Sequence, residues 1–300
     1  MTPQWYMARS RRAFARLLTI LACNVLLIAP GCTRPSPPGP ARLLVSDGSS
    51  ARLFLLTWDG KGYSAGKLEL DRPGRIISLI EDDACVWAIM EVADGLYSRR
   101  VVVKVDVGTG SITEVFRPAN DASMGDQIAV INGYLAVCAS DGIILINPES
   151  GAYETCEVAN IDRHGGIVEV GGSLVIVLQD GRLARYQPTA KTLSVCPLIA
   201  SEIQILGKWK DRTILRQIQA GHATIYVTDV AGATKTPLDY LVERPAFARQ
   251  NWEPLAIVHV DGDLSLIWVN EIMNMTYISD TRSNYAVLGG IQFKCGVTIR

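Results

Sequence analysis

Short β-type segments that alternate with tight turns constrain this chain more than any other feature of its sequence. From Ala41 onward, apolar stretches are separated by turn dipeptides such as Asp94-Gly95, Asn132-Gly133 and Asp180-Gly181. Such dipeptides favour two-residue hairpin turns, because these turns need a positive φ that Asn, Asp and Gly adopt at low cost. No convincing amphipathic helix interrupts the pattern. The sequence therefore predicts an all-β fold made of consecutive hairpins.

The hairpins form a repeat. Residues 132–138 align with residues 171–177, and a second turn follows each of these segments, at 140–142 and 179–181. A third turn, at 147–151, completes the copy. The copies lie about 39 residues apart in the middle of the chain and nearer 50 where the loops are longer, and four strands at that period predict the blades of a β-propeller.

Counting the copies predicts a six-bladed β-propeller of four-stranded antiparallel blades over residues 42–300. The first part of this domain supplies only three strands, while the C-terminal stretch Ile291–Ile299 has no sheet of its own. We therefore expect the C-terminal strand to complete the first blade and to close the ring, so that no long strand edge stays exposed. The full copies span 76–116, 127–158, 167–198, 203–238 and 255–288.

A short motif links the repeat to known propellers. Asp106-Val107-Gly108-Thr109-Gly110 has the pattern D-x-x-T-G in the last hairpin of a copy. In this feature the chain resembles the quinoprotein-like, YVTN and WD40-like propellers of bacteria. The W-D and G-H dipeptides of true WD40 repeats and the tryptophan-docking motif of quinoprotein dehydrogenases are not visible. The resemblance therefore implies a fold and no particular activity.

Residues 1–31 have the organisation of a secretory signal peptide. Four arginines and no acidic residue precede or border an apolar run, Leu17–Ala29, that is shorter than the ~20 residues a spanning helix needs. The segment Ile28-Ala29-Pro30-Gly31-Cys32 resembles the bacterial lipobox, which implies cleavage before Cys32 and lipid attachment to it. An ordinary cleaved signal is the alternative. Residues 10–16 also match the twin-arginine pattern S-R-R-x-F-x-[KR], with a plain basic segment as the alternative.

The charge and the segment after Cys32 bear on location and partners. Residues 32–41 are rich in proline and predict an extended, solvated tether. The whole chain has a net charge of −1; without residues 1–31, which hold four arginines and no acidic residue, 25 basic and 30 acidic residues remain, a net of −5. This balance argues against a nucleic-acid partner. We expect a monomer in the bacterial cell envelope, facing outside the cytoplasm and held at the membrane by its lipid anchor alone.

The remaining cysteines and the histidines lack the spacing of a metal or redox site. No C-x-x-C, H-x-H or H-E-x-x-H pattern is present, so we predict no metal, no cofactor and no catalytic residue. We interpret the cysteines as small buried hydrophobic residues, with disulfides in an exported domain as the alternative. The residues concerned are Cys85, Cys138, Cys156, Cys196 and Cys295, and His164, His222 and His259.

The loops on one face of the ring supply candidate ligand-binding residues. In a propeller, the connections between blades and the turns between second and third strands share a face, and several of these loops carry arginine. Converging guanidinium groups suit a carboxylate or a phosphate. The alternative is that the loops are merely polar and that Asp71, Asp121 and Asp162 neutralise their neighbours. The candidates are Arg72, Arg117, Arg163, His164, His222, Arg249 and Trp252.

The sequence favours a tethered binding or scaffold propeller, whose partner is a protein or a small anionic ligand. Two other classes of function stay open. One is an enzyme of the hydrolase, lyase or quinoprotein type with its site at the mouth of the channel. The other is a sensor that binds a small anion on the same loops.

Overall fold

Every regular element that the structure describes is a β-strand. The computed structural model describes residues 42–46, 51–58, 63–82, 85–119, 123–198, 202–219, 222–229, 234–237, 253–260, 263–270, 275–280, 285–289 and 295–299. The predicted signal peptide, Cys32 and the Pro-rich tether lie outside these residues. Residues 40–300 form one compact unit.

The strands follow the copies predicted from the sequence. Their bounds are β1 Arg42–Ser46, β2 Arg52–Trp58, β3 Tyr63–Glu69, β4 Arg75–Asp82, β5 Cys85–Asp94, β6 Tyr97–Val105, β7 Ile112–Phe116, β8 Met124–Ile131, β9 Tyr134–Ala139, β10 Gly142–Ile146, β11 Tyr153–Glu157, β12 Ile167–Val170, β13 Ser173–Val177, β14 Arg182–Gln187, β15 Thr192–Leu198, β16 Ile203–Trp209, β17 Arg212–Gln219, β18 His222–Thr228, β19 Lys235–Pro237, β20 Glu253–Val260, β21 Asp263–Asn270, β22 Met275–Asp280, β23 Tyr285–Gly289 and β24 Cys295–Ile299.

The strands pair into four-stranded antiparallel sheets arranged as a ring. Five sheets consist of four strands that follow one another in the chain: β4–β7, β8–β11, β12–β15, β16–β19 and β20–β23. A further sheet has the order β24-β1-β2-β3. The innermost strands β24, β4, β8, β12, β16 and β20 adjoin one another in that order, and β20 adjoins β24. The architecture is therefore a β-propeller with four-stranded antiparallel blades.

The number of blades predicted from the sequence needs a correction. Five blades, rather than six, are runs of four consecutive strands. The remaining sheet is composite, because the two ends of the chain meet in it: Arg42 of β1 lies opposite Ile299 of β24, and Ser46 lies opposite Cys295. The expected pairing of the C-terminal stretch with the first three strands is confirmed over Cys295–Ile299.

The hydrophobic core lies between neighbouring sheets. Every residue of β10 and β13 is buried, whereas the outer strand β11 exposes every residue except Cys156. A typical cluster joins Leu44 and Leu53 of the composite sheet to Met90 and Val101 of the next blade. Because the middle strands are covered on both faces, they form continuous apolar runs instead of alternating patterns.

The cysteines of the described blades are free thiols that are buried or half-buried. Cys138, Cys156 and Cys196 are buried, and Cys85 and Cys295 are half-buried. Burial raises the pKa of the Cys138 thiol, which keeps it protonated. The interpretation of these side chains as small hydrophobic groups is confirmed for the three buried ones, and no disulfide joins them.

The D-x-x-T-G turn fastens one blade to the preceding one. The Asp106 carboxylate accepts hydrogen bonds from the N–H groups of Gly108 (2.8 Å) and Thr109 (3.0 Å), which fixes the turn. Gly110 then has φ = +78°, and a Cβ there would lie 2.2 Å from the carbonyl oxygen of Glu69 in the neighbouring sheet. Glycine is required at this position because of both its backbone conformation and this close approach.

Candidate functional site

The connections between sheets and the turns between second and third strands share one end of the ring, which we call the loop face. In the described residues it comprises 70–74, 117–119, 158–166 and the turns at 95–96, 140–141 and 178–181. Backbone hydrogen bonds tie a connection to a turn, as from the N–H of Gln179 to the carbonyl oxygen of Asn160 (2.8 Å).

Arg72 and Arg117 share one carboxylate at the outer edge of the loop face. Glu114, on the outermost strand β7, lies 2.8 Å from Nη2 of Arg72 and accepts two hydrogen bonds from Arg117, each 2.8 Å long. The hydrogen bonds from Arg117 are the main cause that lowers the pKa of Glu114, against the opposing effect of burial. Two guanidinium groups and one carboxylate leave one positive charge in excess here.

A second cluster lies at the innermost strand β8. Asp126 accepts from Nδ1 of His164 (2.8 Å) and pairs with Nη1 of Arg100 (2.6 Å), which also donates to the carbonyl oxygen of Met124 (2.6 Å). Nε of Arg163 donates to Nε2 of His164 at 3.0 Å. In this arrangement the neutral ring carries its proton on Nδ1, and both of its nitrogens are engaged.

The loop that carries Arg163 and His164 is fixed by close packing. A Cβ on Gly125 would lie 2.1 Å from the carbonyl oxygen of Arg163, so β8 can approach the loop only with glycine at this position. The side chain of Gln127 donates to the carbonyl oxygen of Ile205 and accepts from the N–H of Ile167 (3.2 Å), which links three neighbouring blades. The second cluster therefore ties blades together as well as placing charge on the loop face.

The structure brings the predicted site residues together in two pairs. Arg72 lies with Arg117, and Arg163 lies with His164; no contact between the pairs is found in the described part of the chain. His222 begins β18 opposite Gln219. Arg249 and Trp252 lie outside the described residues.

Asp71 and Asp162 fix the backbone of the loops, although the sequence suggested that they neutralise neighbouring arginines. Asp71 accepts a hydrogen bond from the N–H of Ile112 (3.0 Å), and Asp162 accepts one from the N–H of His164 (3.0 Å). Glu114 instead pairs with Arg72 and Arg117, and Asp126 pairs with Arg100, while Arg163 donates to His164. Asp121 lies outside the described residues.

Sequence reasoning predicted a hairpin turn at Asp94-Gly95 but missed how far the hairpin of β5 and β6, which we call the projecting hairpin, extends. Its strands pair from Val86–Val105 to Asp94–Tyr97, whereas pairing with β4 stops at Glu91 and pairing with β7 stops at Val102. The hairpin therefore rises beyond both neighbouring strands. Its tip consists of Leu96 and Tyr97, which are 97% and 81% exposed.

Ion pairs and a cleft surround the base of the projecting hairpin. Arg75 lies 2.6 Å from Glu91, and Arg99 lies 3.0 Å from Asp94. An open cleft of about 630 Å³ runs between the hairpin and Gly74. The only sequence signal for this feature is that Leu96-Tyr97 directly follows the turn dipeptide Asp94-Gly95, where polar residues are usual.

The described residues contain neither a metal site nor a spanning helix. No group of three or more His, Cys, Asp or Glu side chains that could hold a metal ion is found within the described ranges. Over the same ranges, no helix is long and apolar enough to cross a membrane.

Comparisons with known proteins support the fold. No protein-family model matches the chain. No curated protein matches it in sequence. A chain from the crystal structure of a nidogen/laminin complex matches with a TM-score of 0.62 at 13% identity, over 87% of this chain and 98% of that one. The crystal structure of the tricorn protease matches with a TM-score of 0.54 at 13% identity, over 84% of this chain and 26% of that one. At these identities the likeness concerns the fold.

Proposed function

We propose that this protein is a binding propeller, a lipid-anchored domain outside the cytoplasm of a bacterial cell whose loop face binds another protein. The observation that carries the proposal is the projecting hairpin, which holds Leu96 and Tyr97 in solvent on a paired two-stranded support. Single exposed apolar residues are ordinary on protein surfaces, but two adjacent large ones on a raised tip favour a docking element.

The point where the chain enters the ring supports this arrangement. β1 begins at Arg42, which pairs with Ile299 at the end of the innermost strand β24. Innermost strands begin at the loop face, so Arg42 lies at the opposite end of its sheet. A lipid on Cys32 would be joined through the Pro-rich residues 32–41 to this opposite end of the sheet, and not to the loop face.

The alternative of an enzyme receives less support from the described residues. His164 uses one ring nitrogen for Asp126 and the other for Arg163, so neither is available as a general base in this geometry. Arg100 is likewise engaged by Asp126 and by the carbonyl oxygen of Met124. We therefore propose no reaction.

The structural neighbours are consistent with a binding role without specifying it. The chain that matches over most of its length was solved in a complex of nidogen with laminin. A propeller fold can thus occur in a protein–protein complex, and the partner of the present protein has to be found by experiment.

The test of the proposal is purification of the tagged full chain from gently cross-linked membranes of its host. The expected result is a partner protein recovered in stoichiometric amount, which in turn recovers the propeller when the partner carries the tag instead. Recovery of the propeller alone would overturn the proposal and would direct the search to small ligands.

The anchor is tested separately with the Cys32→Ala variant. We expect this variant to leave the membrane fraction, because the two acyl chains that hold the protein there can no longer be attached. The measurement is the fraction of protein that sediments with membranes. Cys23 also follows a short apolar segment, Ile20-Leu21-Ala22, so Cys23→Ala is the matched control and should stay bound. Membrane association of Cys32→Ala equal to that of the unaltered chain would refute the anchor.

A further inference from the structure

We infer that the partner protein receives the tip of the projecting hairpin in an apolar pocket that has carboxylates at its rim. This inference rests on the proposed function and specifies the binding element and the chemistry of the partner. It depends on three properties of the described residues: the support of the tip, the exposure of its two side chains and the charge beside it.

The tip is a supported structure and not a loose loop. Antiparallel pairing continues up to Asp94–Tyr97, and the two-residue turn has Gly95 at φ = +64°. The ion pair between Arg99 and Asp94 joins the two strands just below the turn. A preorganised element of this kind loses little conformational entropy when it binds.

Within the described ranges, no residue of the ring covers the two side chains of the tip. Because β4 ends its pairing at Glu91 and β7 at Val102, Leu96 and Tyr97 stand above the neighbouring strands. The equivalent turns of the next two blades carry polar residues instead, at Ser140-Asp141 and Gln179-Asp180-Gly181. Apolar and aromatic side chains of this size gain free energy only when another surface buries them, which requires an apolar pocket on the partner.

The charge beside the tip indicates acidic groups around that pocket. Arg72 and Arg117 share the carboxylate of Glu114, which leaves one positive charge in excess. Arg117 also interacts electrostatically with Asp94, which itself pairs with Arg99, so three guanidinium groups share two carboxylates on this side of the projecting hairpin. A carboxylate on the partner would pair with the exposed side of these guanidinium groups.

The position of the tip favours a protein over the membrane that carries the anchor. The tip lies on the loop face, while Arg42 and Ile299 mark the end of the composite sheet where the tether leaves. The chain therefore enters the ring at the end opposite to the tip. Insertion of the tip into lipid is therefore an outcome that the experiment has to exclude, as is pairing with a second copy of this chain.

The experiment titrates the partner recovered by cross-linking, once purified, against the full chain and three variants. The double variant Leu96→Ser/Tyr97→Ser should bind at least about tenfold more weakly, as expected for the loss of a central hot spot. Arg117→Glu should bind a few-fold more weakly, and its binding should depend less on salt. Tyr134→Ser is the matched control, because Tyr134 is 44% exposed and lies on the face opposite the loop face; it should bind normally.

Each outcome of the experiment has a distinct meaning. Normal binding by the double variant would overturn this inference while leaving the proposed function intact. Recovery of no partner would overturn both. Binding of the unaltered chain, but not of the double variant, to vesicles of phosphatidylethanolamine and phosphatidylglycerol would assign the tip to lipid. A dimer in sedimentation that the double variant abolishes would assign the tip to a second copy; either result overturns the inference.

Discussion

The hairpins β5–β6 and β9–β10 occupy the same position in adjacent blades, and they differ in what they contribute. The strands of β9–β10 pair only from Gly142–Ala139 to Ile146–Leu135, and the turn that joins them is Ser140-Asp141. The projecting hairpin continues well past its neighbours and ends in exposed Leu96 and Tyr97. The shorter hairpin is sufficient to build a blade. The additional length of the projecting hairpin therefore needs an explanation other than folding.

The largest expected effect on thermal stability comes from removing a strand that closes the ring. Shortening the projecting hairpin should cost much less stability. Deletion of residues 290–300 removes β24, which leaves β1 unpaired on one side and opens the ring. We expect this variant to lose its cooperative thermal transition. Replacement of residues 93–98 by Asn-Gly keeps Val92 opposite Arg99, and we expect its melting temperature to fall by only a few degrees, about the shift for 1 kcal/mol.

Calorimetry of the two variants measures this contrast. Equal losses of melting temperature would mean that the projecting hairpin is part of the folding core, and the functional interpretation of its length would fail. A shortened hairpin that melts normally and no longer binds the partner would separate stability from binding in one molecule.

A smaller difference is expected between alanine substitutions at two glycines of positive φ, Gly95 in the turn of the projecting hairpin and Gly110 in the D-x-x-T-G turn. The quantity compared is the loss in free energy of unfolding. Gly95 has φ = +64°, and a Cβ there would meet nothing within 4 Å, whereas at Gly110 (φ = +78°) a Cβ would lie 2.2 Å from the carbonyl oxygen of Glu69. We expect Gly95→Ala to cost about 1 kcal/mol, from backbone conformation alone. Gly110→Ala should cost about 2–4 kcal/mol, because the neighbouring sheet must also move.

Denaturant unfolding of both variants gives the two free energies directly. If Gly95→Ala proved to be the more damaging change, the turn of the projecting hairpin would be packed against something that the described residues do not contain. Gly133→Ala, at φ = +77° in an equally open turn, is the control and should match Gly95→Ala.

The sequence was sufficient to predict where the blades lie and insufficient to predict which side chains meet on the surface. Turn dipeptides and apolar runs predicted the bounds of the blades β4–β7 to β20–β23 to within about three residues, because local propensity and burial agree there. The composite sheet required the added argument that strand edges must be covered. Once the two ends of the chain share a sheet, only five blades are continuous.

The loop face could not be predicted to the same depth. Exposure of Leu96 and Tyr97 depends on where β4 and β7 stop pairing, which is a property of the sheet and not of the local sequence. Likewise, Arg72 meets Glu114 of the next blade, although Asp71 is its neighbour in the chain. Side-chain pairs between blades depend on how the sheets pack, and a single sequence carries no signal for them.

The smallest expected effect is a change in the pKa of Glu91, at the base of the projecting hairpin, with Glu114 at the outer edge of the loop face as the comparison. A hydrogen bond from Ser98 is the main cause that lowers the pKa of Glu91, and Arg75 adds to it; for Glu114 the main cause is Arg117. In Ser98→Ala, the pKa of Glu91 should therefore rise towards its ordinary value, while that of Glu114 should stay the same. Carboxyl titration followed by NMR measures both groups in one sample.

The same change should have a stability effect with a definite pH dependence. Ser98 stabilises the ionised form of Glu91, so the cost of Ser98→Ala is fully present above the ordinary pKa of glutamate and disappears as the pH falls through the lowered pKa of the folded state. Because Glu91 is near the surface, this cost should stay below about 1 kcal/mol. A cost that persisted at low pH would mean that Ser98 supports the projecting hairpin by packing and not through the charge of Glu91.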